Sequence, residues 1–436
     1  MLPELITEIP GPASVALAEE LRRYESHNVT YVDEAWPVFW KRAEGVNVWD
    51  EDGNRFLDMT AAFGVAGLGH GWSAPAMVEQ SQVLVHGMGD VHPTRLKVET
   101  CQMLSALTYE RWGAGRGKVV LSNSGFEAVE SAMKTARVVT GRAGVLSFAN
   151  SYHGMGYGAL LGSGFEKFRQ PFEDQLAARR VSLAFPRDDA GMERFEEALA
   201  GVDASGIGLV LVEPIQGRGG KIVPPDAFLP MLRSWCDQHG VLLACDEIFT
   251  GFNRTGRLFA CEWSGVVPDL ICVGKSMSGG FPISACVGKA EIMDAWPVSS
   301  GEALHTSTFL GNPVGCAMSV MSMKEHARAE LAESVQGIGD YLKARLHGLR
   351  SPLIRDVRGR GLMLGVELAH QDGSPASDVA GGILGEMMQD GVFMLADGPA
   401  GNVLAWTPPF GVNREEVDYV LACLQARLEH HGGISA

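Results

Sequence analysis

The middle of the chain alternates short apolar runs with stretches of helical periodicity. Apolar runs of strand length occur at residues 119–121, 145–148, 208–212, 241–245 and 270–273. Between them, residues 127–138 repeat their apolar positions with the period of a helix. Because the runs are short and do not alternate with polar residues, we expect strands covered on both faces. This predicts the α/β class, with a mostly parallel sheet flanked by helices.

The two ends of the chain show a different pattern. A helical period begins at Ser14, residues 36–58 alternate like strands, and short strands mix with helices again after residue 331. A chain of 436 residues is too long for one ordinary core, so we expect a second, smaller α+β domain built from both chain ends. The expected boundaries are 1–67 and 326–436 for the two parts of the small domain and 68–325 for the large domain.

The charge balance disfavours two classes of partner. The chain carries 36 basic and 52 acidic residues, a net charge of −16, whereas nucleic acids and anionic membranes bind basic patches. The first residues are acidic where a secretory signal is basic, and no apolar run approaches the length of a membrane span. We therefore expect a cytoplasmic protein with neither a nucleic-acid nor a membrane partner.

The spacing of the cysteines also indicates a cytoplasmic protein. Eight cysteines are present without any Cys-x-x-Cys pair, and several lie inside apolar runs. This pattern is typical of free, buried thiols in a reducing cytoplasm. We expect neither disulfides nor a metal site.

An amine and a carboxylate follow two of the apolar runs. Asp246 comes directly after the run 241–245, and Lys275 follows the run 270–273 with one glycine between. The carboxyl ends of parallel strands share one edge of a sheet, where open α/β sheets bind ligands. An amine that condenses with an aldehyde and a carboxylate that holds a pyridinium proton are what pyridoxal phosphate (PLP) requires of a protein. Taken alone, each has an ordinary alternative, a helix-capping aspartate and a surface lysine.

Two further segments can complete such a site. Residues 122–127 form a turn between a strand and a helix, whose free N–H groups favour an anion such as a phosphate. Tyr152 can stack on one face of a ring and Ile248 can press on the other. Separately, the turn is also typical of a helix cap, Tyr152 of a core tyrosine and His153 of a structural histidine. Their order and common edge make the combination specific.

Several motifs, spread over nearly the whole chain, carry a resemblance to one family. They are Asn123-Ser-Gly125, Glu127-Ala-Val-Glu130, Tyr152-His-Gly154, Glu213-Pro-Ile-Gln-Gly217, Asp246-Glu-Ile248, Thr250-Gly251, Arg254-Thr-Gly256, Gly274-Lys275, Gly279-Gly280, Ser307-Thr-Phe-Leu-Gly-Asn-Pro313 and Arg358-Gly-Arg-Gly-Leu362. With them the chain resembles the class III (fold type I) PLP-dependent aminotransferases, the group of the ornithine, acetylornithine and 4-aminobutyrate aminotransferases.

The resemblance implies a role for each motif residue. Lys275 is then the lysine that forms the Schiff base with PLP and carries the proton, and Asp246 is the partner of the pyridinium nitrogen. The other implied cofactor contacts are Ser124, Gly125 and the Phe126 backbone at the phosphate, Tyr152 and Ile248 on the ring faces, Glu213 close to the ring, and Thr308 at the phosphate of the neighbouring subunit. The role of Thr308 implies a homodimer with shared active sites.

Three positions around the cofactor depart from the family pattern. Phe126 stands where relatives commonly have Ser or Thr, which removes one side-chain contact to the phosphate. Phe249 replaces a frequent Gln that bonds the ring hydroxyl. Met155 replaces an Arg that anchors a distal carboxylate in many relatives.

A double change affects substrate binding. Ornithine and 4-aminobutyrate enzymes have a Glu at the position of Arg218, and this Glu gates an Arg at the position of Ala405. We hypothesise that Arg218 supplies the carboxylate-binding charge from the opposite wall, since its planar fork bonds a carboxylate in bidentate fashion. Pairing of Arg218 with a surface acid explains the residue equally well.

The resemblance implies ping-pong amino transfer from an amine or ω-amino acid donor to a 2-oxo acid. The alternative within the family is an amino acid racemase or an aminomutase, which uses the same lysine and ring without an acceptor. Outside these, a non-catalytic PLP-binding protein is compatible with the motifs. An NAD-dependent oxidoreductase is disfavoured, because the glycine-rich stretch 113–117 precedes a strand instead of following one.

Overall fold

A seven-stranded sheet lies at the centre of the computed structural model, which describes residues 1–30 and 36–433. The strands of the molecule are β1 (Trp40–Glu44), β2 (Asn47–Asp50), β3 (Arg55–Asp58), β4 (Gly117–Ser122), β5 (Gly144–Phe148), β6 (Arg180–Leu183), β7 (Ile207–Val212), β8 (Leu242–Asp246), β9 (Leu270–Val273), β10 (Ser284–Lys289), β11 (Ile354–Arg360), β12 (Met363–Leu368), β13 (Val392–Phe393), β14 (Leu395–Asp397) and β15 (Val403–Trp406). The central sheet has the order β4-β10-β9-β8-β7-β5-β6. Its strands run parallel except β10, which pairs antiparallel with both β4 and β9.

Helices connect these strands and cover the sheet. They are α1 (Pro12–Tyr24), α2 (Ala61–Gly64), α3 (Ala74–Ser81), α4 (Arg95–Ser105), α5 (Gly125–Thr140), α6 (Tyr157–Gly162), α7 (Glu166–Arg169), α8 (Asp189–Ala200), α9 (Phe228–His239), α10 (Ala290–Met293), α11 (Pro313–His326), α12 (Ala329–His347), α13 (Ser377–Gln389) and α14 (Arg414–Gly432). The helices predicted near Ser14 and over residues 127–138 correspond to α1 and α5.

Both faces of the central sheet are buried. All six residues of β7 and all four of β9 are shielded from solvent. Successive residues belong to different apolar cores, since Val210 packs into the core on one face and Leu209 and Leu211 into the core on the other. This alternation follows from the period of two in a strand. It confirms the predicted parallel sheet with helices on both sides.

Two smaller sheets are assembled from the chain ends. One has the order β1-β2-β3-β13, in which β13 pairs parallel with β3 through Val392 and Leu57. The other has the order β11-β12-β15-β14. A separate apolar core combines residues from both ends, among them Leu57, Leu364 and Trp406. The predicted fold, an α/β domain with a smaller α+β part from both ends, is confirmed, whereas the boundaries at residues 67 and 325 stay a prediction.

Two further features of the structure are the character of its helices and the state of its cysteines. Within the described ranges, no helix combines the length and apolar character that a membrane crossing requires. All eight cysteines are free thiols, and most of them are buried.

Candidate active site

The carboxyl ends of β8 and β9 bring Asp246 and Lys275 to one cavity of about 470 Å³. The two strands are parallel neighbours, with Asp246 in register with Cys272. Asp246 is the last residue of β8, and Lys275 begins a short 3₁₀ turn just after β9. The amine and the carboxylate therefore meet at the sheet edge where open α/β sheets bind ligands.

Most of the residues predicted for the site line this cavity. They are Gly125, Phe126, Tyr152, Glu213, Arg218, Asp246, Ile248 and Lys275. Ser124 is not among the lining residues, because its hydroxyl donates to Glu127 at 3.1 Å. Thr308 does not line the cavity of its own chain either, and lies exposed in a turn. Ile248 reaches the cavity although β8 ends two residues earlier, at Asp246.

The backbone of Lys275 has a left-handed conformation, with φ of 45°. Such a conformation is strained for a residue other than glycine and is typical of functional sites. The Lys275 Nζ lies 3.7 Å from the centroid of the Phe249 ring. Burial and the nearby charge of Lys221 lower the pKa of Lys275 to about 8. About a tenth of the amine is therefore neutral at pH 7, far more than for an ordinary lysine, and the neutral amine is the nucleophilic form.

The carboxylate of Asp246 is buried and held by two hydrogen bonds. Its Oδ2 lies 2.7 Å from Nδ1 of His153, and its Oδ1 accepts from the backbone N–H of Ile248 at 3.1 Å. The other ring nitrogen of His153, Nε2, is buried without a partner among the described residues. The hydrogen bond from His153 to Asp246 was not predicted from the sequence.

Glu213 follows β7 and organises the adjoining loops. Its two carboxylate oxygens accept from the backbone N–H groups of Tyr152 and Gly217, each at 2.9 Å. Burial raises the pKa of Glu213, and the neighbouring Asp246 acts in the same direction. The side chain therefore orients both Tyr152 and the loop that carries Arg218.

The first turn of α5 faces the cavity from the other side. The N–H groups of Gly125 and Phe126 have no acceptor inside the helix because they belong to its first turn. Glu127 accepts from the N–H groups of Asn123 and Ser124 at 2.9 and 2.8 Å, which fixes the start of the helix. A Cβ atom on Gly125 would lie only 3.0 Å from Ile248, so this close approach favours glycine. The helix end therefore presents free donors to an anion.

Arg218 is exposed at the cavity and stacks on aromatic rings. Its guanidinium carbon lies 4.7 Å from the Tyr152 centroid and 5.5 Å from the Phe168 centroid. Within residues 1–30 and 36–433 the ion pairs of the structure do not include Arg218. Ala405, by contrast, is buried in β15 opposite Gly365 and does not line the cavity.

A buried ion pair next to Phe249 was not predicted from the sequence. The Lys221 Nζ lies 2.6 Å from the Asp397 Oδ2 and 4.3 Å from the centroid of the Phe249 ring. Lys221 could have been noticed in the sequence, because the other residues of the run 219–223 are small or apolar. Nothing in the sequence indicated that its partner is Asp397, 176 positions away.

These residues fit PLP. Lys275 offers an amine for the aldehyde, Asp246 a buried carboxylate for the ring nitrogen, and the first turn of α5 free N–H donors for the phosphate. Tyr152 and Ile248 line the same cavity. The central sheet and this site together define a fold type I PLP-dependent enzyme.

Comparison with known proteins identifies the family. Residues 30–428 match the model of the family described as aminotransferase class-III. The chain is 35% identical to the 4-aminobutyrate aminotransferase of Mycobacterium leprae, with 94% of this chain and 95% of the relative covered. It is 33% identical to the acetylornithine aminotransferase of Methanothermobacter thermautotrophicus, with 92% and 96% covered. The chain belongs to the class III aminotransferases.

A solved structure agrees with this assignment. The PLP-bound amine transaminase from an uncultivated Pseudomonas species superposes with a TM-score of 0.85 at 27% identity, covering 93% of this chain and 98% of that one. The protein is a PLP-dependent transaminase. None of these comparisons favours the racemase or aminomutase alternative.

Proposed function

We propose that the enzyme moves an amino group from an ω-amino acid or other terminal amine to a 2-oxo acid by a ping-pong mechanism. The observation that carries the proposal is the cavity itself, which has Lys275 and Asp246 at one end and the cation of Arg218 on its wall. Phe249, Phe281 and Ile283 line the space with apolar surface. The relatives named for 4-aminobutyrate and acetylornithine support a donor that carries its carboxylate away from the reacting amine.

The chemistry divides between the cofactor and the chain. PLP, when bound, supplies the electron sink that stabilises negative charge on the carbon next to the transferred nitrogen. The Lys275 amine accepts the proton from that carbon and then donates it again within the same half-reaction. Its pKa of about 8 suits both steps. The Asp246 carboxylate, oriented by His153, keeps a proton on the ring nitrogen.

The remaining proposed contacts hold the cofactor in place. The N–H groups of Gly125 and Phe126 would bind the phosphate at the start of α5, and the Ser124 hydroxyl would join them by turning away from Glu127. Tyr152 and Ile248 would contact the two faces of the ring, and Glu213 holds Tyr152 by accepting from its backbone N–H.

We further propose that Arg218 binds the substrate carboxylate. Its guanidinium is exposed at the cavity and rests on Tyr152 and Phe168, without an acidic side chain paired to it in the described ranges. The alternative explanation, pairing with a surface acid, therefore lacks support. A guanidinium placed on an aromatic platform keeps its donors free for a bidentate contact.

Replacing Arg218 with alanine tests this role. We expect kcat/KM for a carboxylated donor such as 4-aminobutyrate to fall by about 10- to 100-fold, because a hydrogen-bonded charge contributes about 1.5–3 kcal/mol. For an amine without a carboxylate, such as 1-aminobutane, kcat/KM stays within about 2-fold of the wild-type value. Steady-state rates with pyruvate or 2-oxoglutarate as acceptor provide the measurement.

The matched control is Arg257→Ala. Arg257 is also exposed and also stacks on an aromatic ring, with its guanidinium carbon 4.9 Å from the Trp263 centroid, but it does not line the cavity. This variant should leave both donors unaffected. Equal losses for the two donors in Arg218→Ala would contradict the proposed contact.

A homodimer with shared active sites forms part of the proposal. Thr308 is exposed and does not line its own cavity, as suits a residue that reaches the phosphate bound by the neighbouring subunit. The loop around it is anchored, because Asn123 Nδ2 donates to Ser307 Oγ at 2.9 Å and Thr306 Oγ1 donates to Asp90 Oδ2 at 2.5 Å.

Replacing Thr308 with valine should raise the Kd for PLP by about 10-fold or more, the loss expected for one hydrogen bond to a charged group. Fluorescence titration of the PLP-free protein gives the Kd, and light scattering gives the mass of the assembly. Thr306→Val, which loses only a bond within its own chain, is the control. A monomer by light scattering would remove the basis for the role of Thr308.

We also propose that the enzyme works in the cytoplasm, without a nucleic-acid or membrane partner. The eight free thiols and the net charge of −16 support this setting.

A further inference from the structure

Lys221 is a buried lysine that the reaction described above does not use. Its side chain is withdrawn from solvent, and its backbone is left-handed with φ of 57°. Lysines are almost never fully buried unless they are paired, and a left-handed residue other than glycine is strained. The chain therefore maintains this cation at a cost in stability, which suggests a function for the charge.

Contacts from the C-terminal segment fix the position of Lys221. Its ammonium forms the ion pair with Asp397 at the end of β14. In the same loop, Gly220 O accepts from Arg358 Nε at 2.7 Å, and Arg218 O accepts from Gly398 N at 2.9 Å. The stem of Lys221 packs against Gly365, where a Cβ atom would lie 3.1 Å from Lys221 Cγ. The ammonium is thus held at one place, with no freedom to reach solvent.

That place lies beside the reactive amine. The Nζ atoms of Lys221 and Lys275 are 4.3 and 3.7 Å from the same Phe249 centroid, so they are at most about 8 Å apart. Lys221 does not line the cavity, whereas Phe249 does. A substrate therefore meets the ring of Phe249 and not the ammonium behind it. The charge acts on Lys275 from a position that is itself withdrawn from solvent, beside the partly buried ring of Phe249, so water screens it less than at the surface.

We propose that Lys221 is a positioning residue whose buried positive charge holds the Lys275 nitrogen in its neutral, proton-accepting form, with Asp397 limiting the strength of the effect. This inference rests on the assignment of Lys275 proposed above. The ring of Phe249 also takes part, since the side-chain nitrogens of both lysines lie within cation–π distance of its centroid.

Several other charged groups lie near the two lysines. Asp246, Glu213 and Asp397 all favour protonated Lys275, whereas Lys221 is the charged group that opposes them. Lys221 and burial together bring the pKa of Lys275 down to about 8. Two more groups lie close by: Arg358, which bonds the Gly220 carbonyl, and His326, whose Nε2 lies 3.2 Å from the Ser276 carbonyl. Burial lowers the pKa of His326 to about 3, so it stays neutral in the working range.

Holoenzyme variants that remove one or both charges of the Lys221–Asp397 pair test the proposal. The readout is the pH midpoint at which the visible absorbance of the bound cofactor changes, which reports protonation of the Lys275 nitrogen without any turnover. Lys221→Met removes the positive charge and leaves Asp397, so the midpoint should rise by about 1 pH unit. The double variant Lys221→Met/Asp397→Asn removes both charges, and its midpoint should lie between those of the wild type and Lys221→Met.

Lys41→Met is the matched control, because Lys41 also pairs with a carboxylate, Glu51 at 3.2 Å, but on the surface. Its midpoint should equal that of the wild type. If Lys221→Met folds poorly, the double variant, which leaves no buried charge unpaired, must still titrate above the wild type. Coloured variants that titrate at the wild-type pH overturn this inference alone. A wild-type protein that stays colourless with PLP overturns it together with the role of Lys275.

Discussion

Replacing Lys275 with alanine is expected to lower the transamination rate by at least about 10³-fold. The substitution removes both the amine that bonds the cofactor and the group that carries the proton, and positioned acid–base groups alone contribute about 10²–10⁴-fold. The structure places this amine at the cavity in a strained left-handed turn, beside β8 and its carboxylate. No other amine among the cavity-lining residues can replace it.

The measurement combines rate with covalent attachment. Borohydride reduction of the wild-type holoenzyme should leave the cofactor on the peptide that contains Lys275, as detected by mass spectrometry after denaturation. Lys275→Ala should lose this label. Lys289→Ala is the control, since Lys289 ends the neighbouring strand β10 and pairs with Asp269 at 3.0 Å, away from the cavity. Label on a different lysine of the wild type, or near-normal turnover by Lys275→Ala, would refute the assignment.

Replacing Asp246 with asparagine is expected to lower kcat by about 10²–10³-fold, while the cofactor stays attached to Lys275. Asparagine has nearly the same shape and can still accept from the N–H of Ile248, but it lacks the negative charge that keeps a proton on the ring nitrogen. Loss of one preorganised electrostatic contact typically costs a rate of this size. Because attachment depends on Lys275, the visible colour should persist.

Single-turnover absorbance changes with the donor provide the measurement for Asp246→Asn. The control is Glu247→Gln, the adjacent carboxylate, which is buried away from the cavity and accepts from the backbone N–H of Ala260 and Cys261 at 3.0 and 2.7 Å. Burial raises the pKa of Glu247 to about 7, so glutamine resembles a form that the native side chain already adopts near neutral pH. Because the glutamine NH2 group cannot accept one of the two backbone N–H groups, Glu247→Gln should lower the unfolding temperature while kcat stays nearly unchanged. Wild-type kcat in Asp246→Asn would show that this charge is dispensable.

Local patterns in the sequence predicted much of the central sheet. The runs at 208–212 and 270–273 became β7 and β9 almost residue for residue, because a strand covered on both faces needs an unbroken apolar segment. The strand β10 was missed. Its sequence, Ser284 to Lys289, mixes small and polar residues, and its place is decided by hydrogen bonding to β4 on one side and β9 on the other. No short segment of the sequence contains β10 together with both strands with which it pairs.

The chain by itself determined which chemical groups are available and the approximate positions of strands such as β7 and β9, since both depend on residues close together in the sequence. Its motifs were enough to place Lys275 and Asp246 on one sheet edge. Only the tertiary structure decided which charges meet: His153 with Asp246 across 93 positions, and Lys221 with Asp397 across 176. The physical reason is that Coulomb interactions and desolvation depend on distance and burial in the packed molecule, and these arise only when remote segments come together.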